Sequence, residues 1–156
     1  MAHLFAFWDG QASYDAFMAG PHDGIASAQT GTFEMLAVRL FTRRLDVKVG
    51  FEARFSDADL LRVALCKVRP ERVDHFTLMQ ERVWNPAMAG SPGMLRGLFA
   101  EGAGNDFLVL SAWDSVGEHG KYREGAVARL SERAALDADV LSVAGDVVDI
   151  VQNWTV

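Results

Sequence analysis

Trp113, His119 and Tyr122 are the residues whose types and spacing most directly suggest chemistry, the histidine six and the tyrosine nine positions beyond the tryptophan. An indole to stack on a flat ring, an imidazole to take a proton and a phenol to hydrogen-bond could together hold a phenolic substrate. On that reading His119 is the general base, Tyr122 orients the ligand and Trp113 stacks on it. The competing reading makes Trp113 and Tyr122 core residues and puts His119 at the solvent edge. A second group is His75, Met79, Trp84 and Asn85. His75 and Met79 are four apart, so on a helix they share a face. That face suits a ligand, simple packing or an oligomer contact. Cys66 sits inside an apolar run, where a thiol behaves as a small buried hydrophobe with a raised pKa.

Other motif-like strings fail their context. The histidines at 3, 22, 75 and 119 lack metal-ligand spacing. Gly102-Ala103-Gly104 is not a dinucleotide-binding fingerprint. A single cysteine excludes an intrachain disulfide and a cysteine-cluster metal site. Arg39, Arg43 and Arg44 read as a solvated strand face. No metal and no cofactor are therefore expected.

These residues need elements to position them. Residues 60–68, LLRVALCKV, read as a buried strand. Pro70 suits a helix start, and a helix follows with Val73, Phe76, Val83 and Trp84 near one face. Pro86 predicts that this helix ends by Asn85. MLRGLFAEG (94–102) and FLVLSAW (107–113) read as strands joined by a short Gly/Asn/Asp turn, an antiparallel hairpin. Ser115 and Glu118 form the pattern of a capping box, opening a long helix to about Leu136. A last strand is expected over 143–154. The order over 60–154 is β-α-β-β-α-β, a ferredoxin-like α+β repeat.

The first half repeats part of this plan. LFAFWDG (4–10) lies 105 residues before VLSAWDS (109–115), aligning Trp8 with Trp113, Asp9 with Asp114 and Phe17 with Tyr122. A strand at 4–10, a helix from about Ala12 and a strand around 33–41 make a β-α-β tail. The expected domains are thus a partial repeat over 1–50, a connector over 51–59 and a complete repeat over 60–156. Residues 42–58 suit a strand or a loose connector. A half repeat leaves sheet edges uncovered, and open apolar edges invite pairing. Residues 1–50 then complete the barrel, a second chain covers the edge as a homodimer, or the natural start lies upstream of Met1. The homodimer is the expectation carried forward.

The chain has 156 residues and a formal charge of −6, 15 basic against 21 acidic, with a pI near 5.1. That balance argues against a nucleic-acid partner, whose phosphates demand clustered Lys and Arg. No apolar run approaches the roughly 20 residues of a membrane helix, and no signal-peptide pattern opens the chain. A soluble, cytoplasmic protein is expected.

FAFWDGQASYDAFMAGPHDGI (5–25) and FLVLSAWDSVGEHGKYREGAVARL (107–130) resemble the strand-Trp-helix signature of the antibiotic-biosynthesis-monooxygenase-like superfamily of dimeric α/β barrels. The first segment also resembles its YdbC-like branch. Residues 62–94 and the terminal NWTV are similar to the second half of tandem, two-repeat members. The resemblance implies sheets packed face to face and a ligand pocket between a sheet and its helices, with Trp113 as a pocket residue. It implies either a barrel protein binding a small apolar or aromatic ligand or a cofactor-independent monooxygenase oxidising an electron-rich aromatic. Haem breakdown in this superfamily resembles an Asn, Trp and His set with the His ten after the Trp. Here Arg123 and Met18 stand ten after the two tryptophans, His22 stands fourteen after Trp8, and no Asn lies in 60–68. That reaction is not expected.

Overall fold

The computed structural model describes residues 3–28, 31, 37–50 and 57–151. The chain forms two compact units, Met1–Arg39 and Leu40–Val156.

In the first unit, α1 (Gln11–Ala19) and α2 (Pro21–Ala28) follow one another, separated by Gly20. Pro21 opens α2, where its missing N–H costs nothing. The strand expected at 4–10 does not form: residues 3–8 are irregular. A strand needs a neighbour for its N–H and C=O groups, and the described residues of this unit contain none. Residues 33–36 of the next expected strand lie outside the described residues, and 37–40 are irregular.

The second unit is built on β1 (Phe41–Lys48), β2 (Leu60–Val68), β3 (Met94–Gly102), β4 (Asp106–Trp113) and β5 (Val140–Asp149). They form one sheet in the order β1-β3-β4-β2-β5, with every neighbouring pair antiparallel. The segment left open between strand and connector therefore contributes an edge strand, beside β3. Between β3 and β4 the hairpin turn carries two successive left-handed residues, Gly104 and Asn105, both at φ 64°. Glycine and asparagine tolerate that geometry best.

Helix α3 (residues 70–89) starts with a 3₁₀ turn at Pro70–Arg72, continues as Val73–Met79, widens to a π turn over Gln80–Trp84 and ends as Asn85–Ala89. The expected stop at Asn85 is thus displaced by four residues. The wide turn before Pro86 makes room for its ring and dispenses with its N–H. Helix α4 (residues 116–133) has the same construction, with a π turn at Arg123–Val127. Ser115 caps it, its Oγ accepting from the Glu118 N–H at 3.2 Å, while the Glu118 carboxylate pairs with Lys121 rather than closing the reciprocal half of the box. A short helix, α5 (Leu136–Asp139), leads into β5. The last strand begins and ends earlier than expected, and residues 152–156 lie outside the described residues.

The core divides along the sheet. One end is wholly apolar: Phe76, Phe99 and Phe107 meet with Cys66 and Val68, and the rings of Phe99 and Phe107 stack at 5.3 Å. The other end gathers Val47, Leu60, Met88, Met94 and Trp113, with Trp84 and Tyr122 packed against them.

Candidate functional site

Trp113 is the last residue of β4, flanked by Leu60 on β2 and Met94 on β3, and is fully buried. Its indole N–H donates to Ser111 Oγ at 2.9 Å. Ser111 lies two residues earlier, on the same face of the strand. The capped start of α4 then turns the chain so that His119 and Tyr122, three residues apart, both face the indole. His119 meets it edge-on, with ring centroids 5.3 Å apart and planes at 67°; Tyr122 meets it at 5.3 Å and 33°. The structure thus brings the first expected group together.

Electrostatics give the two titratable rings distinct states. His119 is buried, not at the solvent edge. Burial, then the positive charges of Arg62 and Arg123, hold its pKa below the ordinary value of 6.5. It is a neutral proton acceptor at pH 7. Burial pushes the Tyr122 phenol up to about 12, against the pull of Arg62, so it remains a donor. Hydrogen-bond acceptor and donor lie side by side on one aromatic wall.

Arg62 was not singled out from the sequence, and the signal was a cation inside the apolar run Leu60–Cys66. Its guanidinium donates to the Val63 carbonyl and lies on β5 over Gly145. A Cβ at Gly145 would come within 2.8 Å of its nitrogens, so glycine is what leaves room for it. Burial lowers its pKa, opposed first by Cys66 and then by Tyr122 and Asp146. Arginine nonetheless stays charged at any physiological pH, so a fixed cation acts on both His119 and Tyr122.

The second expected group does not assemble. His75 Nδ1 lies 2.8 Å from Asp139 Oδ2, and Arg72 Nε donates to Asp139 Oδ1 at 2.7 Å. Asp139 is buried and ties the start of β5 to the start of α3. With Nδ1–H donating to Asp139, that nitrogen cannot also accept from Arg72 Nη2, which lies 3.1 Å away. Met79 instead packs on Val83 and Leu130 between the helices. Asn85 is buried and accepts from Gln80 Nε2 at 2.6 Å. Trp84 contacts both the Trp113 cluster and the Val83 and Leu130 cluster. The Cys66 thiol is pushed up to about 11 by burial, which leaves it protonated at neutral pH. Among the described residues no group of three His, Cys, Asp or Glu could hold a metal ion, and no helix is long and apolar enough to cross a membrane.

The model of a domain of unknown function, DUF4937, matches residues 1–41. No curated protein matches the chain. Solved structures do. A candidate monooxygenase from Fusobacterium nucleatum is similar at TM-score 0.66 and 9% identity, covering 92% of this chain and 66% of its own. The chain therefore spans just under two thirds of that protein. A candidate antibiotic biosynthesis monooxygenase from Nitrosomonas europaea is similar at TM-score 0.51 and 13% identity, covering 59% of this chain and 98% of its own. A heme-degrading enzyme from Listeria monocytogenes follows at TM-score 0.54 and 14% identity, with 74% of each chain covered. Identities this low speak for the fold and not for the reaction. The chain has the ferredoxin-like α+β fold of the antibiotic-biosynthesis-monooxygenase-like proteins.

Proposed function

We propose that the chain binds a small acidic aromatic molecule, of phenol or anthrone type, beside Trp113, His119 and Tyr122. The observation that carries this reading is the pairing of a neutral imidazole with a protonated phenol under the field of Arg62. The imidazole accepts the ligand's proton, the phenol donates to its oxygen and the guanidinium favours the anion so formed. The ligand-binding form is a homodimer. Its support is β5, an outer strand that exposes Leu141, Val143 and Val147; such an edge favours a second chain. Native mass spectrometry of freshly purified protein tests both parts. A dimer carrying a co-purified aromatic is the expected result, and a ligand-free 17 kDa monomer counts against it.

The same observation favours a second reading, cofactor-independent oxidation. His119 would take the proton from an anthrone, and the resulting anion would pass one electron to O₂. The radicals combine to a hydroperoxide, which loses water to leave the quinone. Anthrone and O₂ thus give anthraquinone and water, with no other oxidant. Oxygen uptake with anthrone tests this: His119→Ala abolishes turnover in a folded protein, whereas turnover like wild type removes His119 as the base.

A further inference from the structure

Between α3 and α4 lies a groove of about 360 Å³, within the usual range for a small-molecule site. Its floor is apolar: Val83 and Leu130 are buried, with Pro86 and Ala87 beside them. Its rim carries Arg82, Arg129 and Arg133, all exposed. None of the three has an ion-pair partner among the described residues, whereas two exposed arginines on β1 do, Arg44 with Glu101 and Arg43 with Asp46. Three unpaired cations around one groove run against the charge of the chain as a whole, −6. Arg129 and Arg133 stand one helical turn apart, where like charges repel. A bound anion would relieve that repulsion.

The lining also specifies the ligand's chemistry. Every side-chain polar group in it is a guanidinium, which donates hydrogen bonds and cannot accept them. A neutral ligand with donors finds no side-chain partner here, whereas carboxylates, sulfonates and phosphates suit the planar fork. The floor between the arginines takes an apolar body. We propose that this groove is a binding site for a small aromatic polyanion, a molecule with a flat apolar body and two or more negative charges. The proposal does not rest on the site at Trp113.

Naphthalene-1,5-disulfonate is a suitable probe, titrated into the full chain by calorimetry at low salt. Wild type is expected to bind it at least tenfold more tightly than inorganic sulfate, with affinity falling as salt is raised. Arg129→Gln/Arg133→Gln should weaken binding at least tenfold, while Lys121→Gln, at an exposed cation already paired with Glu118, should change it less than twofold. Circular dichroism of each variant confirms that it is folded. Three results would overturn the proposal: binding no tighter than sulfate, a double variant within twofold of wild type, or loss of binding on His119→Gln with the arginine variant unaffected.

Discussion

Two tryptophans 105 residues apart, Trp8 and Trp113, hold the same arrangement of aromatic neighbours and differ in the chemistry those neighbours offer. Trp8 meets Tyr14 edge-on at 5.9 Å and 76°, and Phe17 at 4.9 Å and 42°. Trp113 meets His119 edge-on at 5.3 Å and 67°, and Tyr122 at 5.3 Å and 33°. In each case a helix begins three residues after the indole, at Gln11 and at Val116. The spacing alone therefore sets the geometry: the ring six positions on meets the indole edge-on, and the ring nine positions on tilts over it. What differs is the chemistry of the ring that stands there. The first cradle has a phenol and a phenyl; the second has an imidazole and a phenol near a half-buried guanidinium. Environment separates them further, since Trp8 is 40% exposed and Trp113 not at all.

Truncating each indole should give the largest contrast. Trp113→Ala removes a fully buried ring from the cluster with Leu60, Met88 and Met94, and should cost about 3–5 kcal/mol in denaturant unfolding. Trp8→Ala, at a half-exposed position, should cost about 1 kcal/mol or less. Equal costs would mean that the two cradles bear the same structural load.

A smaller effect should appear with pH. Well above 6.5 His119 is neutral in both folded and unfolded chains, so it adds no pH dependence there. As pH falls through that value, the unfolded imidazole takes up a proton that the buried one resists, and stability falls. His119→Gln should flatten this part of a melting-temperature profile, while Tyr14→Phe, at the equivalent place in the first cradle, should leave it unchanged. A profile identical in wild type and His119→Gln would remove the buried neutral imidazole from the account.

The sequence made the second unit legible because its signals agreed. The apolar run at 60–68, the Gly104-Asn105 turn and Ser115 as a cap each pointed to the element that forms there. Pro86 misled because a π turn accommodates a proline that an α-helix would not, and nothing in residues 80–84 announces one. The first unit was harder: LFAFW has the composition of a strand, but a strand is made by its neighbour as much as by its own residues. At the site, the spacing of Trp113, His119 and Tyr122 was visible because all three lie within ten residues. Arg62 was not, because it reaches them from another strand, through a gap left by Gly145 on a third. His75 looked like a ligand residue until its partner proved to be Asp139, 64 residues away.

As proposed, the Trp113 site binds an acidic aromatic and stabilises its anion. The decisive measurement is the ionisation of a bound chromophoric phenol, 4-nitrophenol, followed by absorbance across pH. The account predicts that the bound phenol ionises at least about one pH unit below the free one, as a nearby fixed cation and a hydrogen-bond donor require. Gly145→Ala, which evicts the Arg62 guanidinium without altering the arginine, should return that value toward the free one. A bound phenol whose pKa is unchanged or raised, or no binding at millimolar concentration, would contradict it.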